Sequence, residues 1–133
     1  MTTAWDAAVA VADWLRAKLS QESQVAVSPS IEARDLSTQR TMFVVPGGTQ
    51  HELVARGRVE KIFAVSAGFM RRVSSDVEIG QEWHYLEELA EQFQLFDHQN
   101  FYRVGDMETN VEGEAIADRR IFVGYLTMAL REK

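Results

Sequence analysis

A pair of glycines follows a strand-like run in the stretch "MFVVPGGTQHEL" at residues 42–53. Glycine-rich loops bind phosphate when a Gly-Lys-Ser/Thr sequence completes them and a helix follows, because helix N-terminal amides face the anion. Gly47 and Gly48 lack that sequence, and the residues after them alternate as in a strand. A dinucleotide-binding fingerprint is absent for the same reason. We therefore predict that the glycines lie in a connection between two antiparallel strands.

The titratable and nucleophilic residues form no recognisable catalytic or metal-binding pattern. The histidines are His51, His84 and His98; His84 and Glu88 have helical i, i+4 spacing, but there is no HExxH sequence. An acidic segment at 106–118 lacks the spacing of a calcium loop; its carboxylates are Asp106, Glu108, Glu112, Glu114 and Asp118. No serine lies in G-x-S-x-G, and the chain has no cysteine. We expect a protein that is not an enzyme, with no catalytic residue, metal site or cofactor.

The net charge argues against general nucleic-acid binding. The chain has 133 residues, with 14 Lys and Arg against 20 Asp and Glu, which gives a net charge of −6. Nucleic-acid binding relies on phosphate neutralisation by basic residues, and these form no stripe here. No apolar run approaches the roughly 20 residues of a membrane span. Asp6 and Asp13 interrupt the apolar N-terminus, which we do not expect to be a signal peptide.

Hydrophobic spacing predicts a single α+β domain over residues 1–133. Its elements follow the order α-β-β-β-α-β-β: a helix at 3–19, strands at 24–31, 40–46 and 54–73, a helix opening at 74–78, and strands at 101–110 and 119–130. Two helices on a mixed, mainly antiparallel sheet of about five strands would make a two-layer sandwich with a long β-hairpin. The last strand is apolar on both faces and should be central. Trp83, Leu86, Ala90 and Phe93 should pack the second helix on the sheet.

Four stretches resemble the small tail-terminator and tail-completion proteins of long-tailed bacteriophages. They are the strand and turn "MFVVPGG", the long strand "FAVSAGFMRRV", the helix "VEIGQEWHYLEELAEQF" and the C-terminal strand "RRIFVGYLTMALREK". The resemblance spans about residues 3–131 and consists of hydrophobicity and turn patterns. The acidity of segment 106–118 departs from it.

The resemblance implies a structural virion protein. Such proteins form a ring, commonly a hexamer, that caps the head-proximal end of the tail tube, ends tube polymerisation and joins the tail to the head connector. The implied partners are copies of this chain, the tail-tube subunit and a head-completion or connector protein, and genome DNA would pass through the lumen without specific binding. The expected location is the virion tail or neck, and the host cytoplasm during assembly, without membrane association.

The stretch between the second and third strands is the predicted subunit-contact site. Its glycines supply turns and its polar residues have little to bury, so we expect a hairpin arm that contacts a neighbouring subunit. The residues assigned to this contact are Pro46, Gly47, Gly48, Thr49, Gln50, His51, Glu52, Arg56, Gly57 and Arg58. Two other functions stay open: another neck or tail component, such as a head-completion or tube-like subunit, and a small-ligand-binding or enzymatic α+β domain.

Overall fold

Three helices and five strands make up the described part of the chain. The computed structural model describes residues 1–19, 25–27 and 39–133. Its elements are α1 Ala4–Lys18, β1 Val25–Val27, β2 Thr41–Ala55, β3 Arg58–Arg72, α2 Asp76–Phe93, β4 Phe101–Val111, α3 Gly113–Arg119 and β5 Ile121–Glu132. The α+β class is confirmed, whereas the predicted strands and element order differ from the structure in detail.

The sheet has the strand order β1-β2-β3-β5-β4. Its four long strands pair antiparallel, and the three-residue β1 adds a parallel edge beside residues 42–44 of β2. β5 lies between β3 and β4, which confirms the prediction of a central strand. Most of the first predicted strand, including Pro29, lies outside the described residues.

Both long helices begin at capping side chains. The Thr3 hydroxyl accepts from the backbone N–H of Asp6, while the Asp6 carboxylate accepts from the Thr3 N–H at 2.8 Å. The bond from the Thr3 N–H, followed by one that the Thr3 hydroxyl donates to the same carboxylate at 3.0 Å, lowers the pKa of Asp6 below its usual value. Ser75 caps α2, and the Glu78 carboxylate accepts from the Ser74 N–H, which lowers the pKa of Glu78. Sequence and hydrogen bonding therefore agree on where α1 and α2 begin.

The main core lies between the sheet and helices α1 and α2. Phe63, Val65, Ala67 and Phe69 alternate along β3 and are buried on this face. The Trp14 ring of α1 lies 4.9 Å from the Phe93 ring of α2, so the two helices also contact each other. A smaller buried cluster on the opposite face contains Phe43, Met70, Ile121 and Val123, with Ala115 of α3 packed against it.

Two predicted features of the helices are wrong. The segment predicted as an acidic loop contains the end of β4 and helix α3, which the predicted order lacked. Trp83 is 44% exposed and contacts the sheet only partly, with its ring 6.2 Å from that of Phe122. Its neighbour Glu82 occupies the buried position on that side of α2.

Replacing Gly68 with alanine should lower the free energy of unfolding by about 1–3 kcal/mol, because added atoms in a packed core force backbone shifts. Gly68 lies opposite Tyr125, and a Cβ at Gly68 would come within 2.1 Å of the Gly124 carbonyl oxygen. Urea denaturation measures the change. The matched control is Gly48→Ala, where a Cβ meets nothing within 4 Å. Equal stability of the two variants would contradict this close approach between β3 and β5.

Candidate functional site

The β2–β3 hairpin extends beyond the rest of the sheet. β1 pairs with β2 only at residues 42–44, and β5 pairs with β3 only from Phe63 onward. In the described part of the chain, residues 50–55 and 58–62 therefore pair only with each other. We call residues 49–62 the arm. A two-stranded ribbon has marginal stability in water, so contacts with another surface would stabilise an arm of this length.

The turn of the hairpin is at Arg56 and Gly57, not at the glycine pair. Gly57 has φ 74°, in the left-handed region that glycine adopts without strain. Gly47 and Gly48 lie inside β2 at a register shift between Pro46 and Thr49. A Cβ at Gly47 would come within 2.9 Å of the Ala64 Cβ, so this position needs a small residue. The predicted long loop over residues 46–57 is therefore wrong, because these residues form a paired strand and the two-residue turn that follows it.

The end of the arm exposes apolar side chains. Leu53 and Val59 face each other across the hairpin and are 72% and 57% exposed, and Val54 between them in sequence is also exposed. The residues from Leu53 to Val59 include Arg56 and Arg58 but no acidic residue. We call residues 53–59 the arm tip. Its apolar and basic side chains are suited to contact with another protein surface.

Ion pairs hold the root of the arm to the C-terminal strand. Glu52 and Glu60 are directly opposite each other, and Arg131 of β5 bonds to both, with 2.8 Å between Arg131 Nη2 and Glu52 Oε2. Arg58 also approaches Glu60, at 3.3 Å. Two like charges in facing positions repel each other, so the positive charge of Arg131 offsets the repulsion between Glu52 and Glu60. Nothing in the local sequence around Arg131 connects it with these carboxylates, which are 71 and 79 residues earlier in the chain.

The N-terminus also contacts this root. Lys61 Nζ lies 3.4 Å from the Thr2 carbonyl oxygen, and the Thr2 hydroxyl donates to Glu132 at 2.9 Å. A cleft of about 380 Å³ opens here, lined in part by Met1, Val59 and Tyr102. Its walls mix apolar and charged groups, which is typical of a protein-contact surface rather than of an enclosed apolar ligand pocket.

The ten residues predicted for subunit contact all lie on one hairpin, although not in one loop. Glu52 takes part in the ion pairs at the root, and only three of the ten lie at the tip. Pro46, Thr49 and Glu52 are half-buried, whereas Gly47, Gly48, Gln50, His51, Arg56, Gly57 and Arg58 are exposed. The predicted contact residues did not include Leu53 and Val59, which are exposed at the tip. Their exposure depends on the turn being at Arg56 and Gly57, which the sequence did not indicate.

A second charged group, also missed from the sequence, lies at the opposite end of the hairpin. Glu82 is fully buried and accepts two hydrogen bonds from Arg40, at 2.7 and 2.9 Å, and one from Arg71 at 2.8 Å. The Arg40 guanidinium also lies 3.8 Å from the centre of the Tyr85 ring. Burial raises the pKa of Tyr85. We call these three charged residues the Glu82 cluster; it joins α2 to the start of β2 and the end of β3.

The histidines do not come together. His84 lies on the exposed side of α2, with its Nε2 3.2 Å from Glu88, and His98 Nδ1 accepts from the Asn100 N–H. Among the described residues, no three His, Asp or Glu side chains are grouped closely enough to hold a metal ion. Within the same ranges, no helix is both long and apolar enough to cross a bilayer.

Comparison with protein families and with curated proteins gives no relative. No protein-family model matches this chain, and no curated protein matches it. The functional argument therefore depends on the residues and their geometry.

Proposed function

We propose that this chain is a structural virion protein of a long-tailed bacteriophage, of the tail-terminator type. In this role it forms a homo-oligomeric ring, a hexamer by the resemblance, at the head-proximal end of the tail tube. The ring ends tube polymerisation and presents a surface to the head connector. The observation that carries the proposal is the arm, which projects past the sheet with an apolar and basic tip.

The arm supports ring formation because a ring needs two different surfaces on each subunit. In a heterologous contact, a projecting element of one copy meets another surface of the next, and repeated rotation closes the ring. Among the described residues, three helices pack on the mainly antiparallel sheet and the arm tip stays exposed, so the tip is available for this contact. The net charge of −6 also suits a lumen through which DNA passes, because like charges discourage binding.

Mass measurement of the purified protein, alone and mixed with tail-tube subunit, tests the proposal. We expect a closed oligomer with a single stoichiometry, which binds the end of preformed tubes and stops further growth. A twelve-fold assembly that binds the head connector but not the tube would favour a head-completion protein. A protein that stays monomeric in both measurements would contradict a ring-forming role.

Polar substitution at the arm tip should impair assembly and leave the fold intact. Leu53→Ser with Val59→Ser removes exposed apolar surface, so the free energy of unfolding of the monomer should change by less than about 0.5 kcal/mol. Ring formation or tube capping should weaken more than ten-fold if these side chains are central to the contact, where loss of one anchor costs about 2 kcal/mol or more. Sedimentation and tube-capping assays measure the effect.

The matched control for the tip is Val77→Ser on α2. Val77 is 71% exposed, as Leu53 is, but lies on another element. Normal assembly of the tip variant, or an equal loss in the Val77 variant, would show that the arm tip is an ordinary surface.

A further inference from the structure

We propose that the arm tip of one copy docks against the acidic outer edge of β4 in the next copy. The acidic edge is residues 106–114, which are the second half of β4 and the start of α3. This inference rests on the proposed function, because it requires that copies assemble, and it assigns the surface that receives the arm.

The two surfaces lie at opposite edges of the sheet. Among the described residues, in the order β1-β2-β3-β5-β4, the β2 strand of the arm is outermost at one edge, since β1 pairs there with residues 42–44 alone, and β4 is outermost at the other. A heterologous contact repeated around a ring needs complementary surfaces placed in this way. A contact between two arm tips would instead give a closed dimer and leave β4 unused.

The charges of the two surfaces are complementary. The arm tip carries Arg56 and Arg58 and no acidic residue, and Arg58 has 72% of its side chain exposed. The acidic edge carries Asp106, Glu108, Glu112 and Glu114 and no basic residue, and all four are exposed. Among the described residues, no ion pair neutralises Asp106, Glu108 or Glu114. The basic tip therefore meets a surface that carries four exposed carboxylates, and this difference in charge favours the docking over a contact between like surfaces.

The backbone of the acidic edge favours recognition by side chains. β4 and β5 lose register between Val104 and Glu108, and Gly105 has φ 67° within this bulge. Bulges on edge strands hinder the addition of another strand. The tip therefore contacts the acidic edge through charged side chains, with Leu53 and Val59 shielded from water beside them. Exposed charge pairs are screened by salt, so this contact should weaken as the ionic strength rises.

Charge reversal tests the proposal. Arg56→Glu with Arg58→Glu should weaken assembly roughly ten-fold or more, because like charges then face each other, and Asp106→Lys with Glu108→Lys should do the same. Combining all four changes in one chain should restore assembly. The matched control is Glu87→Lys with Glu91→Lys, which changes the charge equally on the exposed side of α2. Failure of the combined variant to assemble, or an equal loss in the control, would overturn the proposal.

Disulfide crosslinking gives an independent measurement, since the chain has no cysteine of its own. A variant with both Arg56→Cys and Asp106→Cys should form, on oxidation, a ladder of covalent multimers whose upper limit gives the ring size. Each single variant should stay monomeric on a denaturing gel. Covalent dimers from Arg56→Cys alone would show contact between tips and overturn the proposal.

The two levels of inference fail separately. If the unaltered chain stays monomeric, alone and with tail-tube subunit, both the ring and its contact are wrong. Alternatively, the chain assembles while the charge reversals leave assembly unchanged and the double-cysteine variant gives no ladder of covalent multimers. In that case the ring-forming role stands and the docking of the arm tip on the acidic edge is wrong.

Discussion

Replacement of Glu82 with alanine is expected to lower the free energy of unfolding by about 3–5 kcal/mol, the usual cost of removing one partner of a buried ion pair. Glu82 is fully buried, and its carboxylate receives the hydrogen bonds of both Arg40 and Arg71. Without it, two positive charges stay close together in a partly dehydrated site. Arg71, with only 14% of its side chain exposed, has little access to water as a replacement partner.

Urea denaturation of the Glu82 variant gives the change in free energy, and circular dichroism shows whether it folds. The matched control is Glu88→Ala on the same helix; Glu88 has 59% of its side chain exposed and lies 3.2 Å from His84 Nε2. Exposed pairs of this kind contribute at most about 1 kcal/mol. If both variants lose the same small amount, the Glu82 cluster does not hold α2 to the sheet.

The position of Glu82 could be read from the sequence only in part. Ile79, Glu82, Leu86 and Phe93 have helical spacing, which places this carboxylate on the core side of α2. The neighbouring Trp83 lies within the same broad stripe. Hydrophobicity alone therefore predicts that the tryptophan, and not the glutamate, faces the sheet. Tertiary structure decides between the two residues, because Arg40, just before β2, and Arg71, at the end of β3, both reach this side of the helix.

The arm was predicted as a hairpin, but its turn was misplaced. Gly47-Gly48 and Arg56-Gly57 are both acceptable turn sequences, and local composition favours the pair that follows Pro46. Pairing over the full length of β2 and β3 selects the second turn and leaves the first glycines at a bulge. A bulge shifts the alternation of side chains, so the two parts of β2 do not read as one strand.

Helix α3 gave little signal in the sequence. It is seven residues long, and its N-cap Glu112 makes no side-chain capping bond. It ends at Arg120 with φ 54°, where the usual sequence signal would be glycine. Short helices depend on tertiary contacts rather than on intrinsic propensity, and α3 obtains these by packing Ala115 against the sheet.

Phe93→Ala should lower the free energy of unfolding by about 3–5 kcal/mol, whereas Trp83→Ala should cost only about 1–2 kcal/mol. The Phe93 side chain is fully buried and lies 4.9 Å from the Trp14 ring, so its loss leaves a cavity where α1, α2 and the sheet meet. Trp83 is larger, but 44% of it already faces solvent and its removal opens little interior space. Urea denaturation of both variants compares the two sites. A larger loss for Trp83 than for Phe93 would contradict this account of α2 and restore the tryptophan-centred packing that hydrophobicity alone predicts.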